Sequence, residues 1–411
     1  IRGAPLEQWS AWETLSSSPG LLLEDAIAGE EGGHLLPKVG NVSFFQYFSS
    51  AIQRDWSSWG IPPPATDFVY ESLLIPELRG LLLGRAAAAA AAAGGVDLGG
   101  AAGVVAVAPA PHEYGYWTLE AKKLPGVHRA LREAVPPAAD LFGSPELGSK
   151  GVTGQLLDTL AVHIWLSSPG IANNAHFDSH WNYLVHAAGD KSVLLAPPRD
   201  CWNLAFYPRA HPGLRSSPLD LRRPRAELLA ECPAVANASF LRAQLSPGDV
   251  LLIPPFWVHF IHVPESSSPS ATYSFFSDHS DDQLFRASIP APTSPGEALA
   301  QLLAVLRASC SKKSVAHQFV SEQLLRRSFR ATNESRALFC SPERTVTCPT
   351  SSKLAEPIQK SIKYIGSLIK GNRDRDVAVL MLQKFVEEAA SKIWSPVEVC
   401  AGLEHCVLPK I

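Results

Sequence analysis

Residues 160–166, 183–186, 192–196, 249–253, 258–263 and 271–276 form short apolar or alternating runs bounded by Pro, Gly and Asp. Runs of this length, rich in Val, Ile, Leu and aromatic side chains, predict strands. Several short strands at such spacing predict a barrel or sandwich rather than a parallel sheet. Beyond about residue 295 the period changes. Segments 298–307 and 315–327 are amphipathic, and Ile358, Ile362, Ile365 and Ile369 recur at helical spacing, as do Val377, Leu380, Met381, Lys384 and Phe385. These helices must bury an apolar stripe, either on the β-rich part or against a second copy of the chain. No internal repeat of fixed period interrupts the pattern.

The pattern divides the chain into a β-rich domain over 1–290 and a helical extension over 295–411. Segment 85–111 is Ala- and Gly-rich and reads as a surface insertion without function. A polyalanine helix in its first half would stop at Gly94, Gly95, Gly99 and Gly100. Segment 197–245, rich in Pro and Arg, reads as an irregular insertion between strands. With 411 residues, 46% hydrophobic and 18% charged, the chain has enough apolar material for a large core. A net charge of −3 gives no electrostatic footprint for nucleic acid or an anionic membrane. The longest apolar run, 86–96, is too short to span a bilayer.

Seven cysteines, at 201, 232, 310, 340, 348, 400 and 406, form no C-x-x-C pair. An odd count spread over a large chain predicts mostly reduced thiols and an intracellular location, cytoplasm or nucleus. Asn41, Asn237 and Asn333 each begin an N-x-S sequon and pull the other way, toward the secretory pathway.

The candidate chemistry starts at His176-Phe177-Asp178. Side chains two residues apart on a strand share a face, so this imidazole and carboxylate can grip one ion. Two histidines and one carboxylate make the facial triad of non-haem Fe(II) oxygenases, which leaves coordination positions open for substrates. Alone, the triplet is matched by a bland alternative, a core histidine beside a surface aspartate. Two further blocks tilt the balance. In the stretch from Ser246 to His259, a Pro247-Gly248-Asp249 turn precedes an apolar run, a Pro254-Pro255 corner and then His259. His262 is the rival ligand; three residues on, it should face the opposite way. Lys191 introduces an apolar strand; pointing inward, an unpaired ammonium costs several kcal/mol and calls for an anionic partner, the alternative being a turn lysine that reaches solvent. His163 and His186 read as core or supporting histidines, His180 stands too close to the triplet to be assigned, and Trp181 can edge the substrate mouth.

Residues of the 170–198 and 246–276 blocks resemble the JmjC/cupin-8 family of Fe(II)- and 2-oxoglutarate-dependent oxygenases, which includes protein hydroxylases, histone demethylases and a wybutosine-tRNA hydroxylase. The opening Ile1-Arg2-Gly3-Ala4 is similar to an early strand of that family, implying that the natural N-terminus lies upstream. The resemblance implies a mainly β fold with helical flanks: a double-stranded β-helix (jelly-roll, cupin) core plus the C-terminal helical extension. By position, His176, Asp178 and His259 match the iron ligands, Lys191 the lysine that pairs with the distal carboxylate of 2-oxoglutarate, and Asn182 a cavity asparagine. Asn173 and Ser274 stand where the family's asparaginyl hydroxylase has a threonine and an asparagine. The implied cofactor set is Fe(II), with 2-oxoglutarate and O2 as cosubstrates. The implied reaction is hydroxylation of a protein or peptide side chain, without a nucleic-acid or membrane partner and with a possible homodimer through the C-terminal helices. The alternatives are N-methyl-lysine or arginine demethylation, tRNA-base hydroxylation, or a cupin-type binding module without turnover.

Overall fold

The computed structural model describes residues 38–62, 113–120, 161–277 and 287–411, with isolated positions between 34 and 81. The expectations for Ile1 to Ala4 and for the insertion 85–111 lie outside the described residues. The described strands are β1 (His34–Leu35), β2 (Lys38–Gly40), β3 (Phe44–Phe45), β4 (Val69–Tyr70), β5 (Leu73–Leu74), β6 (Tyr114–Glu120), β7 (Ala161–Ser167), β8 (Ala172–Asn173), β9 (Trp181–Ala188), β10 (Lys191–Ala196), β11 (Leu241–Leu245), β12 (Val250–Ile253), β13 (Val258–His262) and β14 (Ser270–Ser277).

Two sheets carry the fold. The larger runs β12-β9-β14-β7-β6-β2-β4 and the smaller β11-β10-β13-β8-β3, while β1 and β5 pair separately. Every pairing within the two sheets is antiparallel except β3 with β8. The strand spacing predicted a barrel or sandwich, and the arrangement is the cupin-like one that the family resemblance implies. Alternation of side chains sends Asn182, Leu184, Thr272, Ser274, His163, Trp165, Tyr116 and Thr118 from the larger sheet toward one cavity, opposite His259, Ile261 and Lys191 from the smaller.

All six strands read from the pattern are present, with ends shifted by one or two residues. Two expectations need correction. The stretch 197–245 is not irregular throughout: it holds a helix at Arg225–Glu231 and closes on β11, which pairs with β10. Its exposed first residues lack the buried face that makes a strand legible. The His176-Phe177-Asp178 triplet is also not a regular strand. His176 forms an isolated bridge just beyond β8.

Glycine is required where the backbone turns. Pro247 and Gly248 form the centre of a turn in which the Asp249 N–H donates to the Ser246 carbonyl at 3.0 Å, and Gly248 has φ +96°. A positive φ at that position calls for glycine.

The described helices are α1 (Ser50–Ser58), α2 (Arg225–Glu231), α3 (Pro295–Ser309), α4 (Lys313–Gln318), α5 (Asn333–Phe339), α6 (Glu356–Gly371), α7 (Arg375–Ala390) and α8 (Val399–Gly402), with a wider-wound helix at Phe319–Phe329. Ser294 caps α3, accepting from the Glu297 N–H, and Asp374 caps α7. The predicted stripes are buried inside the chain: Ile358, Ile362, Ile365 and Ile369 of α6 share one apolar cluster with Leu299, Leu302 and Leu306 of α3 and Met381 and Phe385 of α7. The same cluster continues into Phe256, Val258 and Phe260, so the extension backs the strand that carries His259.

The expectation of mostly reduced thiols is corrected for four of the seven cysteines. Cys340 pairs with Cys400 and Cys348 with Cys406, bridging 60 and 58 residues of sequence. No spacing motif marks such long-range pairs, which is why they were not legible. Closing loops of this length stabilises by about 2–4 kcal/mol each. Reduction, or Cys340→Ser with Cys400→Ser, should therefore lower the midpoint of thermal unfolding of the full chain. An unchanged midpoint would contradict these pairings.

Candidate metal centre

Two backbone contacts assemble the cluster. His176 and His259 face each other across an antiparallel bridge: the His176 N–H donates to the His259 carbonyl at 3.1 Å and the His259 N–H to the His176 carbonyl at 2.8 Å. Two residues on, the Asp178 carbonyl accepts from the Phe256 N–H at 2.7 Å. Phe256 ends the Pro-Pro corner with φ +63°, a conformation that costs a bulky residue about 1–2 kcal/mol. Its ring is fully buried, 5.9 Å from Phe177, and that burial holds the strained corner in place.

Within the cluster, His176 Nδ1 lies 2.9 Å from the Asn174 carbonyl, and His259 Nδ1 lies 3.2 Å from that of Trp257. A carbonyl only accepts, so the proton of each neutral ring is assigned to Nδ1 and the Nε2 lone pair is left to face the site. The ring centroids are 4.2 Å apart, and His259 Nε2 lies 3.6 Å from an Asp178 oxygen. One ligand atom from each of the three residues falls within 4.8 Å of the others. Burial pushes the Asp178 carboxyl up, but His176, His259 and Arg215 together hold it below the ordinary value. Burial, aided by His176, pushes His259 down. A lowered carboxyl and a lowered imidazole are the directions that suit Asp178 and His259 to a cation. Two nitrogens and one oxygen suit a borderline first-row divalent metal such as Fe(II).

The three residues open onto a cavity of about 760 Å³ between the sheets. Lys191 enters its wall only 3% exposed, and its ammonium donates to Thr272 Oγ1 at 2.6 Å. Among the described residues no carboxylate pairs with it, and burial lowers its pKa to about 7. Thr272 Oγ1 also lies 3.3 Å from His186 Nδ1, whose Nε2 is 2.8 Å from the Gly189 carbonyl. That carbonyl fixes the proton on Nε2, so a neutral His186 receives the Thr272 hydroxyl proton and turns the oxygen's lone pairs toward Lys191. Burial lowers the His186 pKa to about 3, with Lys191 adding to the effect, which keeps the ring neutral.

The remaining sequence candidates also border this cavity. Asn182 is buried with Oδ1 unpartnered, Ser274 is buried, and Asn173 is half-buried. His262 touches the same wall, against the expectation that it faces away, but stands outside the three-residue cluster. His163 and His180 line the cavity, whereas Trp181 does not. Sequence reading missed Thr272, Thr118, Trp165 and Arg215. Thr118 Oγ1 and Trp165 Nε1 are buried without partners on the cavity wall, and the period-two alternation of β6 and β7 was the signal that could have found them. Arg215, 3.8 Å from Asp178, has no such signal because it comes from the insertion with φ +62°.

Residues 112–283 match the family model described as a cupin-like domain, so the resemblance of the two site blocks extends over this whole segment. The Jumonji C domain-containing protein 5 of Drosophila melanogaster is 34% identical over 116 residues, covering 28% of this chain and 27% of that protein. The tRNA wybutosine-synthesizing protein 5 of Homo sapiens is 35% identical over 94 residues, 23% of this chain and 27% of that one. The tRNA wybutosine-synthesizing protein 4 of Neurospora crassa is 30% identical over 145 residues, 34% of this chain and 11% of the relative. The chain thus spans about a quarter or less of the length of these relatives.

His176→Ala, Asp178→Ala and His259→Ala should each weaken Fe(II) or Mn(II) binding by more than the ~10–100-fold typical of losing an outer supporting group. His262→Ala should leave it near the unaltered value. Metal analysis after dialysis checks this, and retention in His259→Ala with loss in His262→Ala would reverse the assignment.

Proposed function

We propose that the chain is an Fe(II)- and 2-oxoglutarate-dependent oxygenase that hydroxylates a protein side chain. The observation that carries this reading is Lys191: a buried ammonium without a carboxylate partner among the described residues, on the wall of the cavity that holds His176, Asp178 and His259. An anionic cosubstrate supplies what that lysine lacks. The matching family and the Jumonji C and wybutosine-synthesizing relatives support an oxygenase, while the choice of cosubstrate rests on Lys191.

When bound, iron and 2-oxoglutarate supply oxidation of a C–H bond by O2 with release of succinate and CO2. The chain's own residues do the positioning. His176, Asp178 and His259 would hold the metal on one face and leave the other open. Lys191, oriented through Thr272 and His186, would fix the distal carboxylate, with the unpartnered Asn182 Oδ1 and Trp165 and Thr118 groups available to the ligand or its waters.

Among the described lining residues Asp178 is the sole carboxylate, while Arg215 and Lys38 are cationic. Beside these cations, an uncharged or acidic side chain suits the described part of the cavity better than a methylated lysine or arginine. The net charge of −3 likewise favours protein over tRNA.

Purified chain given Fe(II), 2-oxoglutarate and ascorbate should release succinate, and Asp178→Ala should abolish it. Absence of both turnover and 2-oxoglutarate binding in metal-loaded protein would leave only a cupin-type binding module. Lys191→Met should raise the KM for 2-oxoglutarate by about 10–100-fold, the loss of a charge-assisted bond, while metal binding persists.

The sign of the pH effect follows from Lys191. Its pKa near 7 in the ligand-free chain rises when a carboxylate binds, so binding above that pH takes up a proton. Affinity for 2-oxoglutarate should fall by up to about tenfold per pH unit above ~7. Calorimetry in buffers of different ionisation enthalpy reads the proton uptake, and Lys191→Met should remove the slope.

A further inference from the structure

The sequons and the disulfides, unrelated to the oxygenase site, point the same way. We propose that Asn237 carries an N-linked oligosaccharide and that the chain matures in an oxidising, secretory compartment.

Asn237 closes the short turn Pro233–Asn237 and is exposed, as is Ser239. The backbone of both is held from below: the Asn237 carbonyl accepts from Asn203 Nδ2 at 3.4 Å, and the Ser239 N–H donates to Asp200 Oδ2 at 2.9 Å. Neither side chain has a hydrogen-bond partner among the described residues, and both residues are exposed, so the acceptor amide and the sequon hydroxyl are open to solvent. The other two sequons are less open. The Asn41 side-chain oxygen accepts from the Glu113 N–H, and Ser335, of the Asn333 sequon, is buried against Thr332.

The surroundings give the sugar a role. Phe240 and Leu241, three and four residues on, are 38% and 60% exposed. They lead into β11, the outer strand of the smaller sheet, whose far edge has no strand partner among the described residues. An open strand edge that begins on exposed Phe240 and Leu241 invites pairing with another chain, and natural proteins cover or charge such edges, as the exposed Arg242 does in part. A bulky hydrated glycan at Asn237 would screen this one.

The second observation is independent. Cys340–Cys400 and Cys348–Cys406 are disulfides, which persist in oxidising compartments. The three remaining thiols, Cys201, Cys232 and Cys310, are buried or half-buried and pushed up by burial, so an oxidant meets no exposed thiolate. In the modification step, Asn237 Nδ2 displaces the isoprenoid pyrophosphate, as the leaving group, from the anomeric carbon of an isoprenoid-pyrophosphate-linked oligosaccharide. A C–N bond forms, the C–O bond to the pyrophosphate breaks, and the amide proton is lost.

The test uses the full chain purified from its own cells. Peptide mass spectrometry should find Asn237 glycosylated, and enzymatic release should convert it to Asp with a gain in gel mobility. Asn237→Gln and Ser239→Ala should each lose the same mobility step; the second keeps the asparagine and the backbone bond to Asp200. Both should also increase the sedimenting fraction. Unmodified Asn237 would overturn the modification, and recovery of Cys340, Cys348, Cys400 and Cys406 as alkylatable thiols would overturn the compartment.

Discussion

The reciprocal backbone pairing of His176 with His259 is the contact on which the rest of the site depends. It is one bridge between segments 83 residues apart, with two hydrogen bonds at 3.1 and 2.8 Å. Across an antiparallel pair, side chains directly opposite stand close on the same face. The bridge therefore sets the two imidazoles together before any metal is considered. A third bond, from the Phe256 N–H to the Asp178 carbonyl, adds the carboxylate to the same frame. Loss of this register would separate the ligands even with all three side chains present.

What holds the bridge is apolar packing on its outer side. Phe256, Val258 and Phe260 join a cluster that runs through α3, α6 and α7, and two disulfides close the last part of the extension on itself. The helical region thus supports the strained Phe256 corner and the strand behind His259, while the larger sheet supplies the polar wall opposite. A site made of backbone-fixed ligands on one wall and buried polar groups on the other needs rigid elements on both sides.

Much of this was legible in the chain. Period-two runs located the strands, and the Pro-Gly-Asp turn and Pro-Pro corner located His259, because turn chemistry and alternation are local properties. Lys191 stood out since a lysine that opens an apolar strand either reaches solvent from the turn or needs an anionic partner inside. His186 read as a supporting histidine, but Thr272 did not stand out, because its role is the orientation of Lys191 across the sheet, a contact of 81 residues' separation. Arg215 and β11 stayed hidden in a stretch whose composition reads as loop.

By itself, the sequence determined the class of elements, the inward faces of the strands and the identity of the three candidate ligands, since each follows from periodicity, turn residues and side-chain chemistry. Only the tertiary structure decided that His176 meets His259 through a single bridge rather than a continuous strand, that Lys191 has no carboxylate partner among the described residues, and that four distant cysteines pair. Those are long-range contacts. They depend on how sheets and helices close on one another, and no local spacing in the chain records that closure.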